Sequence, residues 1–328
     1  MKFVDSFSFP APVKAAIEWQ AHAHNPDSDI SCTGLIDSPL VYWLKKKYYD
    51  VVREEYADAL FRLNGTLMHL VLERFGEAAG AGHLELDVAA MVLGWKVSAK
   101  LDHVLAGDML ADYKYTSAWA VASGVKPEWE RQLNVGLWIM RHDESKDNRE
   151  IGASVKRLEI CALLKDFGPR LMREKKFDGT PQFPCGLMRL PVIMWDDAFT
   201  ENYIEERVAL HKAAAMPDGG VPAMCSDEER WMKDFAVMKE GSKRAMKAGI
   251  KTREEAEEWM EKLGGTSIRE SIPMRCSTYC VFAKPLNKMC PYWDTDRQCV
   301  RSQPVIFDDS LASEDPDAMV KRQKENYP

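Results

Sequence analysis

The stretch AKLDHVLAGDMLADYKYTSA, residues 99–118, sets two carboxylates and an ammonium around one tight turn. Asp102 precedes the turn; Asp112 and Lys114 follow it. An antiparallel hairpin centred on Gly107 pairs Asp102 with Asp112 and Lys100 with Lys114. Directly opposed side chains on a sheet lie about 4.5–5.5 Å apart at Cβ, and like charges so placed destabilise it. Residues two apart on a strand share a face, so Lys114 stands beside the acidic pair. A divalent cation offsets the repulsion: Mg²⁺ or Mn²⁺ takes oxygen ligands, and one or two carboxylates plus waters suffice. The lysine then orients or activates a metal-bound water, or stabilises charge on a phosphate in flight. The competing reading is a solvated polar face holding an Asp–Lys ion pair.

Several elements must position these groups. Residues 52–79 are helix-rich, with Leu60, Leu63, Leu67, Leu70, Val71 and Phe75 near helical spacing and Gly65 open to close backbone approach. His69 and Glu73, four apart, share a helix face and can both reach the same metal. Residues 83–91 and 94–105 read as extended, AGD as a turn, and MLADYKYTS as the following strand. Pro127 opens a helix carrying Gln132, a residue suited to holding the lysine or a phosphate. Residues 151–164 read as a further strand. The order helix, three strands, helix, strand predicts a mixed sheet with flanking helices.

These residues, in this order, resemble the PD-(D/E)xK nuclease superfamily, in its RecB-like branch. The matching pieces are GTLMHLVLE (65–73), KLDHV (100–104), ADYKYTSA (111–118) and RQLNVGLW (131–138). The resemblance implies an α/β, restriction-endonuclease-like fold. It implies His69, Asp102 and Asp112 as metal ligands, with the Tyr113 main-chain carbonyl as another. Lys114 becomes the catalytic lysine and Gln132 matches the glutamine motif. That motif usually carries Tyr four residues on, where this chain has Gly136. Glu73 is the weaker member of the helix pair. The implied activity is Mg²⁺- or Mn²⁺-dependent phosphodiester hydrolysis on DNA, exonuclease rather than endonuclease, as in phage-type members used in recombination, repair or DNA degradation.

Eight cysteines occur, and Cys276, Cys280 and Cys290 crowd together in RCSTYCVFAKPLNKMC. In a reducing compartment such crowding points to a metal or cluster. Relatives of AddB and CRISPR-adaptation type carry a [4Fe–4S] cluster on three C-terminal cysteines and one upstream. The spacing here is longer, which keeps Cys₄ zinc open. Cys225 is the preferred fourth ligand, with Cys32 and Cys299 as alternatives. Cys161 and Cys185 read as ordinary buried cysteines.

The expected organisation is a nuclease core over 1–216 with an N-terminal helical segment, including a short basic-ended helix at 38–48. A small α+β unit closed by the cysteine cluster follows over 217–303, packed on the core, and then a polar tail at 304–328. PDGGVP (217–222) reads as a linker. Within the small unit, two short strands precede a helix capped by Thr252, and a third strand follows.

The formal net charge of -7 argues against a nonspecific nucleic-acid coat, though not against a local basic groove. Lys45–Lys47, Arg170 with Arg173, Lys175 and Lys176, and Lys239–Lys251 are candidate phosphate contacts. Trp119 and Trp129 are candidate base-stacking platforms. No apolar run reaches the roughly 18 residues of a membrane span, and the first residues lack a signal-peptide core. The chain reads as cytoplasmic, with DNA and recombination or single-strand-binding proteins as partners. Two other classes stay open: a non-catalytic DNA-binding or recombination partner with the nuclease fold, and a zinc- or cluster-stabilised interaction module.

Overall fold

The computed structural model describes residues 1–21, 27–80, 82–105, 108–216, 220–242, 244–294, 299–300 and 303–304. The turn at Gly107, residues 217–219 of the linker at 217–222, the side chain of Cys299 and nearly all of the polar tail lie outside the described residues. The chain divides into two compact units. One comprises residues 3–37 and 55–215; the other comprises 1–2, 38–54 and 216–328. No helix among the described residues is long and apolar enough to cross a membrane.

The first unit is built on a mixed sheet. In chain order its elements are β1 (Ile30–Ser31), α1 (Tyr56–Ala79), β2 (Gly82–Val92), β3 (Trp95–Leu105) and β4 (Met109–Thr116). They continue with α2 (Pro127–Arg141), β5 (Arg157–Leu164), β6 (Leu187–Val192) and α3 (Asp197–Ala215). The strand order is β1-β3-β4-β5-β6, and β2 pairs with β3 along its length. The β2–β3 and β3–β4 pairings are antiparallel and β4–β5 is parallel. This is a mixed central sheet with flanking helices.

β5 reads as a near-continuous apolar run and β3 alternates for much of its length; Val97, Leu101, Val104, Leu158, Ile160 and Ala162 all belong to the core. α2 covers the sheet with Leu133, Val135, Leu137, Ile139 and Met140 buried. Pro127 occupies its first turn, where a missing N–H costs nothing.

Three local expectations change. Residues 151–154 belong to a helix, Lys146–Ser154, which Ser145 caps by accepting from the Asn148 amide; the strand begins at Arg157. Gly65 has no neighbour within 4 Å of where a Cβ would stand, whereas one at Gly76 would lie 2.6 Å from Leu84 Cδ1. The apolar stripe of α1 is buried only at its start. Leu63 is core, but Leu67, Leu70, Val71 and Phe75 are exposed.

The second unit contains a small antiparallel sheet of β7 (Phe235–Met238), β8 (Lys247–Ile250) and β9 (Ser267–Arg269), ordered β8-β7-β9. Helix α4 (Arg253–Leu263) begins at Thr252, whose hydroxyl accepts from the Glu255 amide at 3.1 Å. It ends at left-handed Gly264. Val237, Ile250 and Ala256 form its core. A separate core in the same unit joins Leu40, Val41, Leu44 and Val52 of the 38–54 segment to Phe282, Ala283, Cys290 and Trp293.

Candidate active site

The site forms where two strands part. β3 and β4 pair at Leu105–Met109, Val104–Leu110 and His103–Ala111, and the ladder stops there. This is the register that sets Asp102 opposite Asp112. Beyond it β4 continues alone against β5, from Asp112–Ile160 to Thr116–Leu164. β3 instead pairs with β1 at Val97 and Ser98. Asp102 fills the gap: its Oδ2 accepts the Tyr113 amide at 2.7 Å, satisfying a backbone donor that the ladder no longer serves. Its other oxygen, Oδ1, lies 3.5 Å from His69 Nδ1 on α1.

Burial pushes the Asp102 carboxyl up to about 7, with the Asp112 charge adding to the rise. His69, Lys114 and the Tyr113 amide act in the opposite direction. The two aspartates therefore sense one another as the hairpin register demands.

Asp112 is buried at 4% exposure. Lys114 Nζ donates to its Oδ1 at 2.9 Å and to Gln132 Oε1 of α2, also at 2.9 Å. The same ammonium is 2.7 Å from Asp112 Oδ2, yet that buried oxygen has no partner in hydrogen-bond geometry. A buried carboxylate oxygen of this kind suits a metal ion better than solvent. β4 and α2 thus meet in one polar network of Asp112, Lys114 and Gln132.

The sequence reading missed Glu85. Its Oε1 is 3.6 Å from His69 Nδ1, and its Oε2 is 3.0 Å from Lys100 Nζ. His69, Glu85 and Asp102 each offer one donor atom, all within 4.8 Å of one another. This is the only such group of His, Cys, Asp or Glu among the described residues. Glu85 faces Asp102 because β2 and β3 pair Leu84 with His103 and Leu86 with Leu101. It interrupts that ladder by adopting φ 48°, a left-handed conformation that costs a non-glycine residue on the order of 1–2 kcal/mol. Burial pushes its carboxyl up, but hydrogen bonds from His69 and Lys100 outweigh this and hold it below the usual glutamate range. The hydrogen bond to Glu85 raises the His69 imidazole; burial opposes it, and the charges of Asp102 and Asp112 add to the rise. A signal was available in the sequence: pairing the two extended segments across Gly94 places Glu85 against Asp102. Glu73 is not in the group; its charge acts on Lys100.

A Cβ at Gly136 would stand 2.7 Å from Leu101 Cδ2, so α2 rests directly on β3 next to Asp102. Trp129 is buried beneath Lys126, whose ammonium lies 4.9 Å from the ring centroid, so it presents no open stacking face. Trp119 is exposed. Cys185 is exposed too, contrary to expectation.

Cys32 belongs to this unit's core, where its thiol donates to the Gln132 carbonyl at 3.6 Å and burial pushes it up to about 12. In the second unit Cys290 is a core residue, with Cys225, Cys276 and Cys280 packed against the same core. Cys276 lies in a single π-type turn, Arg275–Tyr279, closed by the Cys280 amide donating to the Arg275 carbonyl at 2.7 Å. Burial, then the neighbouring thiols Cys280 and Cys225, push Cys276 up to about 12. Cys290 is likewise pushed up to about 12, first by burial. Cys225 reaches about 11, again mainly through burial. The four share a core, but among the described residues their sulfurs do not gather within 4.8 Å of one another as the donor atoms of the His69 group do.

No family model matches the chain, and no curated protein matches it. Among solved structures it is similar to the crystal structure of SSO0001, at 15% identity and a TM-score of 0.41, over 61% of this chain and 84% of that one. It is also similar to the alkaline exonuclease LHK-Exo from Laribacter hongkongensis, at 13% identity and a TM-score of 0.28, over 56% and 87%. The same exonuclease in complex with dAMP matches at 14% identity and a TM-score of 0.27, over 56% and 88%.

Proposed function

We propose that the protein is a metal-dependent deoxyribonuclease of the PD-(D/E)xK type, acting as an exonuclease. The observation that carries this reading is the convergence of His69, Glu85 and Asp102 beside the Asp112–Lys114–Gln132 network. The donor set fits Mg²⁺ or Mn²⁺: carboxylates with one imidazole, and a buried Asp112 oxygen that has the Lys114 ammonium nearby but no partner in hydrogen-bond geometry. His69, Asp102, Asp112 and the Tyr113 carbonyl would hold the ion, with Glu85 as an added ligand. Such an ion lowers the pKa of a bound water and offsets phosphate charge.

The chain's own groups supply the rest. Lys114 keeps its ammonium at the site because Asp112 and Gln132 anchor it from two sides, and from there it steadies the attacking water or the phosphate oxygens. The Tyr113 amide fixes Asp102 in one orientation, leaving its second oxygen toward His69. Gln132 is a positioning residue that acts through Lys114.

Cys225, Cys276, Cys280 and Cys290 are proposed to hold a structural [4Fe–4S] cluster, with zinc as the alternative. Four cysteines at one core, of which Cys225, Cys276 and Cys290 are costly to ionise alone, suit a cation or cluster that takes up their charge. Cys225 is favoured over Cys32, whose thiol is committed to the Gln132 carbonyl.

Anaerobically purified protein, assayed with Mn²⁺ on end-labelled single- and double-stranded DNA, tests both parts. Cleavage that needs the metal and disappears in Asp112→Ala is expected. Full activity in that variant overturns the site assignment. Metal-independent binding without cleavage would favour a non-catalytic DNA-binding protein. Acid-labile sulfide and visible absorbance distinguish cluster from zinc.

A further inference from the structure

Between β5 and β6 the chain makes an excursion, residues 165–186, that the proposed chemistry does not use. It leaves from the sheet edge nearest the site: the Lys165 amide donates to the Thr116 carbonyl at 2.9 Å, two residues past Lys114. Asp166 accepts the Ala118 amide at 2.8 Å, and Gln182 Nε2 donates to the Ala122 carbonyl at 3.4 Å. Phe183, buried at 1%, packs edge-on against Trp119 at 5.4 Å. The excursion and the 117–122 turn therefore form one body.

Its tip is a tight hairpin. The Gln182 amide donates to the Glu174 carbonyl, Lys176 to Thr180, and Gly179 to Lys176. Gly179 takes φ 83°, which only glycine adopts without cost. Asp178 accepts from both the Thr180 amide and hydroxyl. On this pinned turn stands Phe177, fully exposed. A large aromatic held rigidly in water is costly unless something covers it. The surroundings say what: Lys175 and Lys176 directly precede it and Arg170 and Arg173 lie in the same excursion, all four exposed, in a chain whose net charge is -7. An aromatic flanked by clustered cations fits a polyanion that also offers flat stacking faces, which is nucleic acid.

We propose that Phe177 is a wedge that unstacks the terminal base pair of a DNA duplex, while Lys175 and Lys176 hold the backbone and Trp119 receives a separated base. The identity of the ligand rests on the nuclease reading; the geometry of the wedge does not. It would deliver one strand toward the end of β4 that bears Lys114, the requirement for digestion from a duplex end.

The test avoids cleavage altogether. Full-length protein in EDTA is added to a duplex carrying 2-aminopurine in its terminal pair, with affinity followed by anisotropy of a labelled strand. Wild type should raise the 2-aminopurine fluorescence severalfold. Phe177→Ala should bind within about threefold but give no rise, and Phe177→Trp should restore it. Lys175→Glu with Lys176→Glu should weaken binding about tenfold or more and lower the salt slope by roughly two. Phe177 touches no core residue, so misfolding does not cloud the result. An equal rise in Phe177→Ala, no rise with wild type, or no binding by wild type overturns the wedge. A chain that unstacks ends but never cleaves would remove the nuclease reading alone; one that cleaves without Phe177-dependent unstacking would remove the wedge alone.

Discussion

Asp102 Oδ2 accepts the Tyr113 amide at 2.7 Å at the point where β3 and β4 separate. One carboxylate thereby closes a gap in a sheet and presents its second oxygen to a neighbouring imidazole. Asp102→Asn keeps an acceptor for that amide and loses the charge. Its fold should survive, with a metal-free melting temperature equal to or above wild type, because repulsion from Asp112 is relieved. Cleavage should fall about a hundredfold or more. Thermal melts and timed digestion of labelled DNA check both halves.

Lys114→Ala leaves Asp112 buried without its cation. Breaking such a pair costs about 3–5 kcal/mol, so the melting temperature should drop by several degrees while digestion ceases. Saturating Mn²⁺ should recover part of the loss, since the ion takes up the orphaned charge. Identical melts with and without metal would count against a site at Asp112.

Glu85 bridges His69 and Lys100 from a left-handed backbone position. Glu85→Gln should weaken Mn²⁺ binding about tenfold or more, read by titration calorimetry on DNA-free protein. Unchanged affinity would reduce Glu85 to a prop for His69.

His211 on α3 is fully buried and donates through Nε2 to the Leu35 carbonyl at 3.0 Å. Burial, then the Arg207 charge, lower its pKa from 6.5 to about 4. The folded state holds the ring neutral while the unfolded chain takes a proton below about 6.5. Stability from this group is therefore flat above pH 6.5, falls by about 3 kcal/mol as pH drops to 4, and falls no further below. His211→Gln keeps an N–H donor without the titration. Denaturant melts at pH 7 and pH 4.5 should show a smaller difference for it than for wild type.

Much of the site was legible because its parts obey short-range rules. A two-residue period on either side of AGD sets Asp102 against Asp112, and a four-residue helical repeat makes His69 available. Glu85 was harder. Its role depends on a backbone angle that no alternation encodes, and on pairing two segments that each looked ordinary. The stripe on α1 misled in the other direction, since helical spacing reports periodicity and not which face finds a neighbour. Residues 151–154 were read into the wrong element because Ile151 and Val155 mimic a strand, while the decisive cap, Ser145, lies well upstream. The grouping of residues 38–54 with the C-terminal unit leaves no mark in local composition, because it depends on contacts made with residues beyond 216.

The bare backbone at Gly136 has a consequence for how this centre tolerates change. With Leu101 Cδ2 only 2.7 Å from where a methyl would sit, helix and strand are indexed to each other like meshed gears. Any bulkier residue there forces Leu101 or α2 to give, and a shift of α2 would carry the Gln132 carboxamide away from the ammonium it steadies. A substitution that touches neither ion nor DNA would then detune the whole centre from behind.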